Sequence, residues 1–143
     1  MREFFVGVGL DVVLVNKTAE GCSILLIKRR NNPYAGCWAL PGGFLEPEED
    51  LEDGARRELM EETSLKPDSV PLTQVGAFGR PDRDSRGRVI SIAYCGILPA
   101  EMAPLVKAED DAAEAGWHPL DTLPPLAFDH ADIIAKARRV LEV

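Results

Sequence analysis

Residues 43–65 read GFLEPEEDLEDGARRELMEETSL, and they set four acids and one base at fixed intervals: Gly43, then Glu49, then Arg57-Glu58-Leu59, then Glu61-Glu62, then Leu65. Such spacing suits a loop followed by a helix over Leu51 to Thr63. Positions three and four apart share a helix face, so Glu58, Glu61 and Glu62 are expected to converge while Leu51, Ala55 and Leu59 turn to the opposite side. Three carboxylates within one turn repel one another, and the arrangement becomes favourable when a divalent cation sits between them. Hard oxygen ligands point to Mg2+ or Mn2+ as the cofactor.

The same segment resembles the signature of the Nudix hydrolases: Gly, five residues, Glu, seven residues, Arg-Glu, an aliphatic, any residue, Glu-Glu, any residue, Gly, an aliphatic. Eight of its nine specified positions match, and the ninth is Ser64 where the family usually has Gly. The resemblance implies an α/β fold, a Nudix-type α/β/α sandwich with a mixed central sheet. It also implies a metal held by Glu58, Glu62 and the main-chain carbonyl of Gly42. Glu61 beside them is a further ligand or the base that prepares water. Arg57 and Glu49 fit an orienting role, since an Arg fixed by one carboxylate can aim its neighbours through charge-assisted bonds. Ser64 stands where glycine would take the left-handed conformation, at a cost on the order of 1 kcal/mol if the helix ends there in the usual way.

Length and composition fit one globular domain over residues 1–143, with 45% hydrophobic content and enough chain to bury a core without staples. A formal net charge of −8 argues against a general nucleic-acid-binding surface, which needs a basic face to replace phosphate counterions. Any phosphate must then be met by local arginines or by metal. Cys22, Cys37 and Cys95 are odd in number and scattered, which points to a reducing compartment rather than a disulfide framework or zinc site. The apolar stretch from Phe4 to Val15 is interrupted by Asp11 and too short to span a membrane, and Glu3 spoils a signal peptide's basic start. The expectation is a soluble cytoplasmic protein with no membrane partner.

Further along, Phe4 to Val15 and Cys22 to Lys28 read as strands flanking a turn at Asn16 to Gly21. Trp38-Ala39-Leu40 is a short strand ending at Pro41-Gly42-Gly43. Leu72 to Phe78 and Val89 to Leu98 read as strands on either side of the polar segment from Gly79 to Arg88. Asp129 is expected to cap a last helix from His130 to Leu141, whose Ile133, Ile134, Ala137, Val140 and Leu141 recur at helical spacing.

Outside the acidic box, Glu109-Asp110-Asp111 precede Trp117. Family members often add one loop carboxylate as a ligand or base, which makes Asp111 the expected contributor to metal binding and catalysis, with Asp110 next; a solvated acidic loop is the alternative. Arg80, Arg83, Asp84 and Arg86 form a polar cluster suited to phosphate or ribose. The run Arg83-Asp84-Ser85-Arg86-Gly87 into Ser91-Ile92-Ala93-Tyr94, together with Leu126-Ala127-Phe128-Asp129-His130, resembles the ADP-ribose pyrophosphatase branch of the family. Arg29, close before the Gly-rich loop, is a further phosphate contact, while His118 and His130 read as structural. Trp38 and Phe44 read as core rather than base-stacking positions.

These features together imply hydrolysis of the diphosphate bond of ADP-ribose, or of a similar nucleoside diphosphate derivative, to AMP and a sugar phosphate. The partners expected are a nucleotide-sugar or nucleotide substrate and, for the second ribose, a second subunit in a homodimer. One alternative is a nucleoside triphosphate pyrophosphatase. Another is an ADP-ribose-binding sensor akin to transcriptional regulators that share the Leu-Ala-Phe-Asp-His segment and continue into a winged-helix domain, for which a chain ending at Val143 leaves no room.

Overall fold

The computed structural model describes residues 4–66, 68–105 and 112–143, so the expectation placed on Asp110 and Asp111 lies outside the described residues. Its elements run β1 (Gly7–Thr18), β2 (Gly21–Arg29), β3 (Trp38–Ala39), β4 (Gly42–Phe44), α1 (Leu51–Thr63), β5 (Thr73–Phe78), β6 (Val89–Leu98), a 3-10 helix (Ala100–Leu105), β7 (Ala112–Pro119) and α2 (His130–Leu141). The mixed sheet has the order β3-β2-β1-β6-β5, with β4 paired to β1 and β7 to β2. β1 runs parallel to β6 and antiparallel to β2 and β4.

Strand β1 is apolar on both faces because a helix covers each one. Leu10, Val12 and Leu14 pack with Leu25 of β2 and with Ala55 and Leu59 of α1. Val13 and Val15 pack with Ile24 and Leu26 and with Ile133, Ile134 and Ala137 of α2. Alternation along one extended chain sends successive side chains to opposite layers, and this produces the α/β/α sandwich. Each fully buried aliphatic side chain contributes roughly 1.5–3 kcal/mol from water exclusion.

Both helices fall where their periodicity places them, and the strand limits differ by a few residues. Two strands were not anticipated. β4 consists of Gly42, Gly43 and Phe44, two strand-poor glycines and one aromatic, and it is extended because β1 pairs with it. β7 carries Gly116 and His118 and is recruited by β2 in the same way. Asp129 corrects another expectation. It occupies the N-cap position of α2, but its side chain caps nothing; both its oxygens are taken by Arg83 instead.

Helix α1 starts with Glu52 and Asp53 in its first turn, favourable beside the exposed amides there. It ends at Ser64, whose φ of 67° is left-handed and whose amide donates to the Met60 carbonyl at 2.9 Å. Inside it, Gly54 is buried against β1: a Cβ there would sit 2.4 Å from Leu10 Cδ1 and 2.8 Å from Glu49 Oε1. This glycine is set by packing, not by local helix preference.

Two stability measurements test these assignments. Ser64→Gly relieves a left-handed cost of about 1–2 kcal/mol and loses about 0.4–1 kcal/mol through the freer unfolded chain. Chemical denaturation is therefore expected to show a net gain of up to about 1.6 kcal/mol, and a lowered midpoint would show that this helix end is not strained. Gly54→Ala should destabilise, because overpacking costs about 1–3 kcal/mol against a helix-propensity gain of about 1 kcal/mol.

Candidate active site

A cleft of about 330 Å³ opens where β1 parts from β2 and β3 to admit β4, and its two walls differ in charge. One wall is acidic. Val12 N–H donates to the Pro41 carbonyl and Leu45 N–H to the Val8 carbonyl, so by the antiparallel alternation both polar groups of Gly42 point away from β1. The Gly42 N–H reaches Glu62 Oε2 at 3.0 Å. A Cβ on Gly42 would lie 2.0 Å from the Leu10 carbonyl oxygen, a clash with backbone, and one on Gly43 would lie 2.5 Å from the Glu58 carboxylate and push it from its place. The tight fit brings a strand backbone directly onto the glutamates of α1.

Arg57 organises that wall. Its Nε and one terminal nitrogen grip both oxygens of Glu49, at 2.8 and 2.6 Å, and the same nitrogen donates to the Phe44 carbonyl at 3.0 Å. Its other terminal nitrogen donates to Glu58 at 2.7 Å and to Glu61 at 3.2 Å. The hydrogen bonds from Arg57 hold the Glu49 carboxyl down at about 2, and Glu49 in turn raises the Arg57 guanidinium. Glu49 also accepts from the Glu46 amide, which closes the loop ahead of α1.

Glu61 repels both Glu58 and Glu62, so the three acids do share one side of α1, but their partners differ. Glu58 and Glu62 line the cleft, whereas Glu61 is folded onto Arg57 and is not among the lining residues. Among the described residues, no three His, Cys, Asp or Glu side chains enclose a metal ion as they stand. The donor set nonetheless suits a hard cation. Burial pushes the Glu62 carboxyl up to about 9, against the Gly42 amide that favours its charge, with Glu58, Asp11 and Glu61 adding repulsion. Burial also raises Glu58, in spite of Arg57. Adjacent buried carboxylates beside a cleft are what a divalent cation would stabilise in ionised form.

The opposite wall is cationic and aromatic. Arg29 and Arg86 both stand over the Phe128 ring, 5.1 and 5.2 Å from its centre, and Arg86 lies 5.2 Å from the exposed Phe44 ring as well. Phe44 is thus no core residue. Asp84, itself buried, anchors Arg86 through two bonds of 3.0 and 2.7 Å; burial works against its charge, but those bonds hold its carboxyl below the usual range. Arg29 donates from Nε to the Pro33 carbonyl at 2.7 Å and has no ion-pair partner among the described residues. Burial, and then the neighbouring Arg86, lower its affinity for the proton. Two guanidinium groups on one ring, one without a salt-bridge partner among the described residues, have the chemistry to receive an anion.

Arg83 and Arg80 have other partners than those expected. Arg83 is buried and forms a two-bond pair with Asp129 at 3.0 and 2.7 Å, tying the segment between β5 and β6 to the start of α2. Burial opposes its charge, but Asp129 more than restores it. Arg80 is exposed, pairs with Asp132 at 3.5 Å and does not line the cleft. Two residues at the site escaped the sequence reading of site chemistry. Asp11 is a buried acid on β1 that lines the cleft and accepts from Ser91 Oγ at 2.5 Å. His130 is buried beside it. An acid in the middle of an otherwise apolar strand was the signal available for Asp11, since such a group is kept only with partners.

A family model for the NUDIX domain matches residues 6–137, and the chain belongs to the Nudix family. It is 51% identical over 112 residues to an ADP-ribose pyrophosphatase from Methanocaldococcus jannaschii, covering 78% of this chain and 63% of that protein. It is 33% identical over 132 residues to the ADPR responsive transcriptional repressor NtrR of Acinetobacter baylyi, covering 90% of this chain and 51% of the repressor. The chain therefore spans between half and two thirds of the length of these curated relatives. Among solved structures, the NUDIX domain of Shewanella oneidensis NrtR complexed with ADP ribose superimposes with a TM-score of 0.84 at 31% identity, covering 94% of this chain and 87% of that one. Among the described residues no helix is long and apolar enough to cross a membrane.

The raised Glu62 carboxyl has a consequence for stability without metal. Its ordinary value in an unfolded chain is about 4.3, and in the folded protein it stands at about 9. The folded state thus binds this proton more tightly, so the stability it contributes is full below about pH 4 and is lost as pH rises towards about 9. With chelator present, the thermal midpoint should fall across that window, and Mg2+ should raise it most at the alkaline end. Glu62→Gln should flatten both responses. Parallel pH profiles for the wild type and the variant would remove Glu62 from the acidic centre.

Proposed function

We propose that this chain hydrolyses the diphosphate bond of ADP-ribose, or of a closely related nucleoside diphosphate derivative, giving AMP and ribose 5-phosphate. The observation that carries this reading is the division of one cleft into a glutamate wall and an arginine-aromatic wall. A diphosphate between two sugars needs both: carboxylates to hold its counter-cation, and guanidinium groups with ring faces for its remaining charge and its base. The similarity to an ADP-ribose pyrophosphatase and to an ADP-ribose-bound domain supports the same substrate.

In this reading Glu58, Glu62 and the Gly42 carbonyl hold the cation, Mg2+ or Mn2+. When bound, it offsets charge on the diphosphate and makes an attacking water more acidic. Arg57 favours the charged form of Glu58 against burial and aims it, and Glu61, at the outer end of the same pair, remains a candidate base. Arg29 and Arg86 take non-bridging phosphate oxygens, and Phe128 and Phe44 offer ring faces to the adenine or ribose. Asp84 orients Arg86 through their two-bond pair. Water oxygen bonds to one phosphorus, the bridging P–O bond breaks, and the bridging oxygen leaves on the other phosphate. The water's proton goes to a nearby carboxylate, and no covalent enzyme intermediate is formed. Arg83 supports the site by fixing Asp129.

Two activity measurements bear on the proposal. With Mg2+ or Mn2+, purified protein should turn over ADP-ribose faster than ADP and faster than nucleoside triphosphates; a strong preference for a deoxynucleoside triphosphate would replace the proposal with the triphosphate alternative. Arg29→Gln leaves no described carboxylate without its partner, so the fold should hold. A charge-assisted hydrogen bond is worth about 1.5–3 kcal/mol, so KM for ADP-ribose should rise by roughly ten- to a hundredfold with a smaller change in kcat.

A further inference from the structure

His130 and Asp11 form a buried connection that ends on the backbone of the acidic wall. His130 Nδ1 accepts the Leu40 N–H at 3.0 Å, so the ring carries its proton on Nε2. That Nε2 faces Asp11 Oδ1 at 3.4 Å, while the other oxygen of Asp11 accepts from Ser91. His130, Asp11 and Ser91 are all buried. The chain of contacts thus runs from β6 through β1 and the first residue of α2 to Leu40, two residues before Gly42. Asp11 also presses on the same segment directly, since a Cβ on Gly42 would come within 2.8 Å of Asp11 Oδ1.

Pro41, between Leu40 and Gly42, has no amide hydrogen, so Leu40 supplies the last N–H before the one that meets Glu62. Fixing Leu40 therefore fixes the position of Gly42 relative to α1. We propose that His130, oriented by Asp11 and Ser91, is a positioning residue for the cation cradle: it holds residues 40–43 so that the Gly42 carbonyl and the Glu62 carboxylate face the same point. This rests on the acidic wall being the metal site and does not depend on which substrate is cleaved.

Three variants separate positioning from ordinary structural support. Asn at position 130 offers an oxygen near the place of Nδ1 and can still take the Leu40 amide. Gln extends to the place of Nε2, keeps Asp11 company and leaves the Leu40 amide without its acceptor. Ser91→Ala removes only the tether on Asp11 and is the mildest change. Mn2+ affinity, read by electron paramagnetic resonance well below each variant's thermal midpoint, should weaken by about ten- to a hundredfold in His130→Gln, the range for partners that orient metal ligands. His130→Asn should recover most of that loss, and Ser91→Ala should show a smaller weakening. In turnover, kcat should follow Mn2+ affinity while KM for the substrate stays put. If His130→Gln does not fold, His130→Asn and Ser91→Ala carry the comparison. Wild-type Mn2+ affinity in every folded variant, with only the midpoint lowered, would overturn the proposal. Tight Mn2+ binding by a wild type that does not cleave ADP-ribose would overturn the substrate assignment alone. No Mn2+ binding by the wild type would overturn both.

Discussion

The close approach of a three-residue strand to a helix is the constraint on which this site depends. Gly42 lies so near the Leu10 carbonyl that no side chain fits there, and a side chain at Gly43 would displace the Glu58 carboxylate. β1 supplies the pairing that makes these residues a strand, and the same pairing turns the Gly42 polar groups outward to Glu62. Removing either partner would dissolve the wall, since β4 has too few residues and too little propensity to persist alone.

Charge is then arranged by pairing and burial. Arg57 spreads one cation over Glu49 in the loop before α1 and over Glu58 and Glu61 on the helix, which lets three acids gather around it. Glu62 lies outside that arrangement and takes the cost of burial in a carboxyl pushed up to about 9. Across the cleft, Asp84 neutralises Arg86 while Arg29 is left to the cleft itself. A protein with a formal net charge of −8 can thus offer an anion a positive surface, because the field that matters is local and little screened in a partly enclosed cleft.

The buried Arg83–Asp129 pair connects the two halves of the aromatic wall. It joins the loop that carries Asp84 and Arg86 to the turn that carries Phe128, whose φ of 52° is held by the bonds around it. Ala127 N–H donates to the Trp38 carbonyl and Trp38 N–H to the Pro125 carbonyl, so this turn is also laced to β3. Breaking one member of such a pair leaves a buried charge and typically costs about 3–5 kcal/mol, so Arg83 supports the wall that it also lines.

The sequence by itself determined the local pieces. Helix α1 with its glutamates, helix α2 with its apolar stripe and the β-branched strands follow from spacing and propensity, which act between near neighbours. Tertiary structure decided what each charged side chain meets. Arg83, Asp84 and Arg86 lie close in the chain and all line the cleft, yet Arg83 is paired with Asp129 while Asp84 and Arg86 pair with each other. Glu61 and Glu62 are consecutive, yet Arg57 takes one and Gly42 the other. Strands β4 and β7, and the roles of Asp11 and His130, were not legible for the same reason: each depends on a partner many residues away, and a hydrogen bond between distant segments leaves no periodic trace in either.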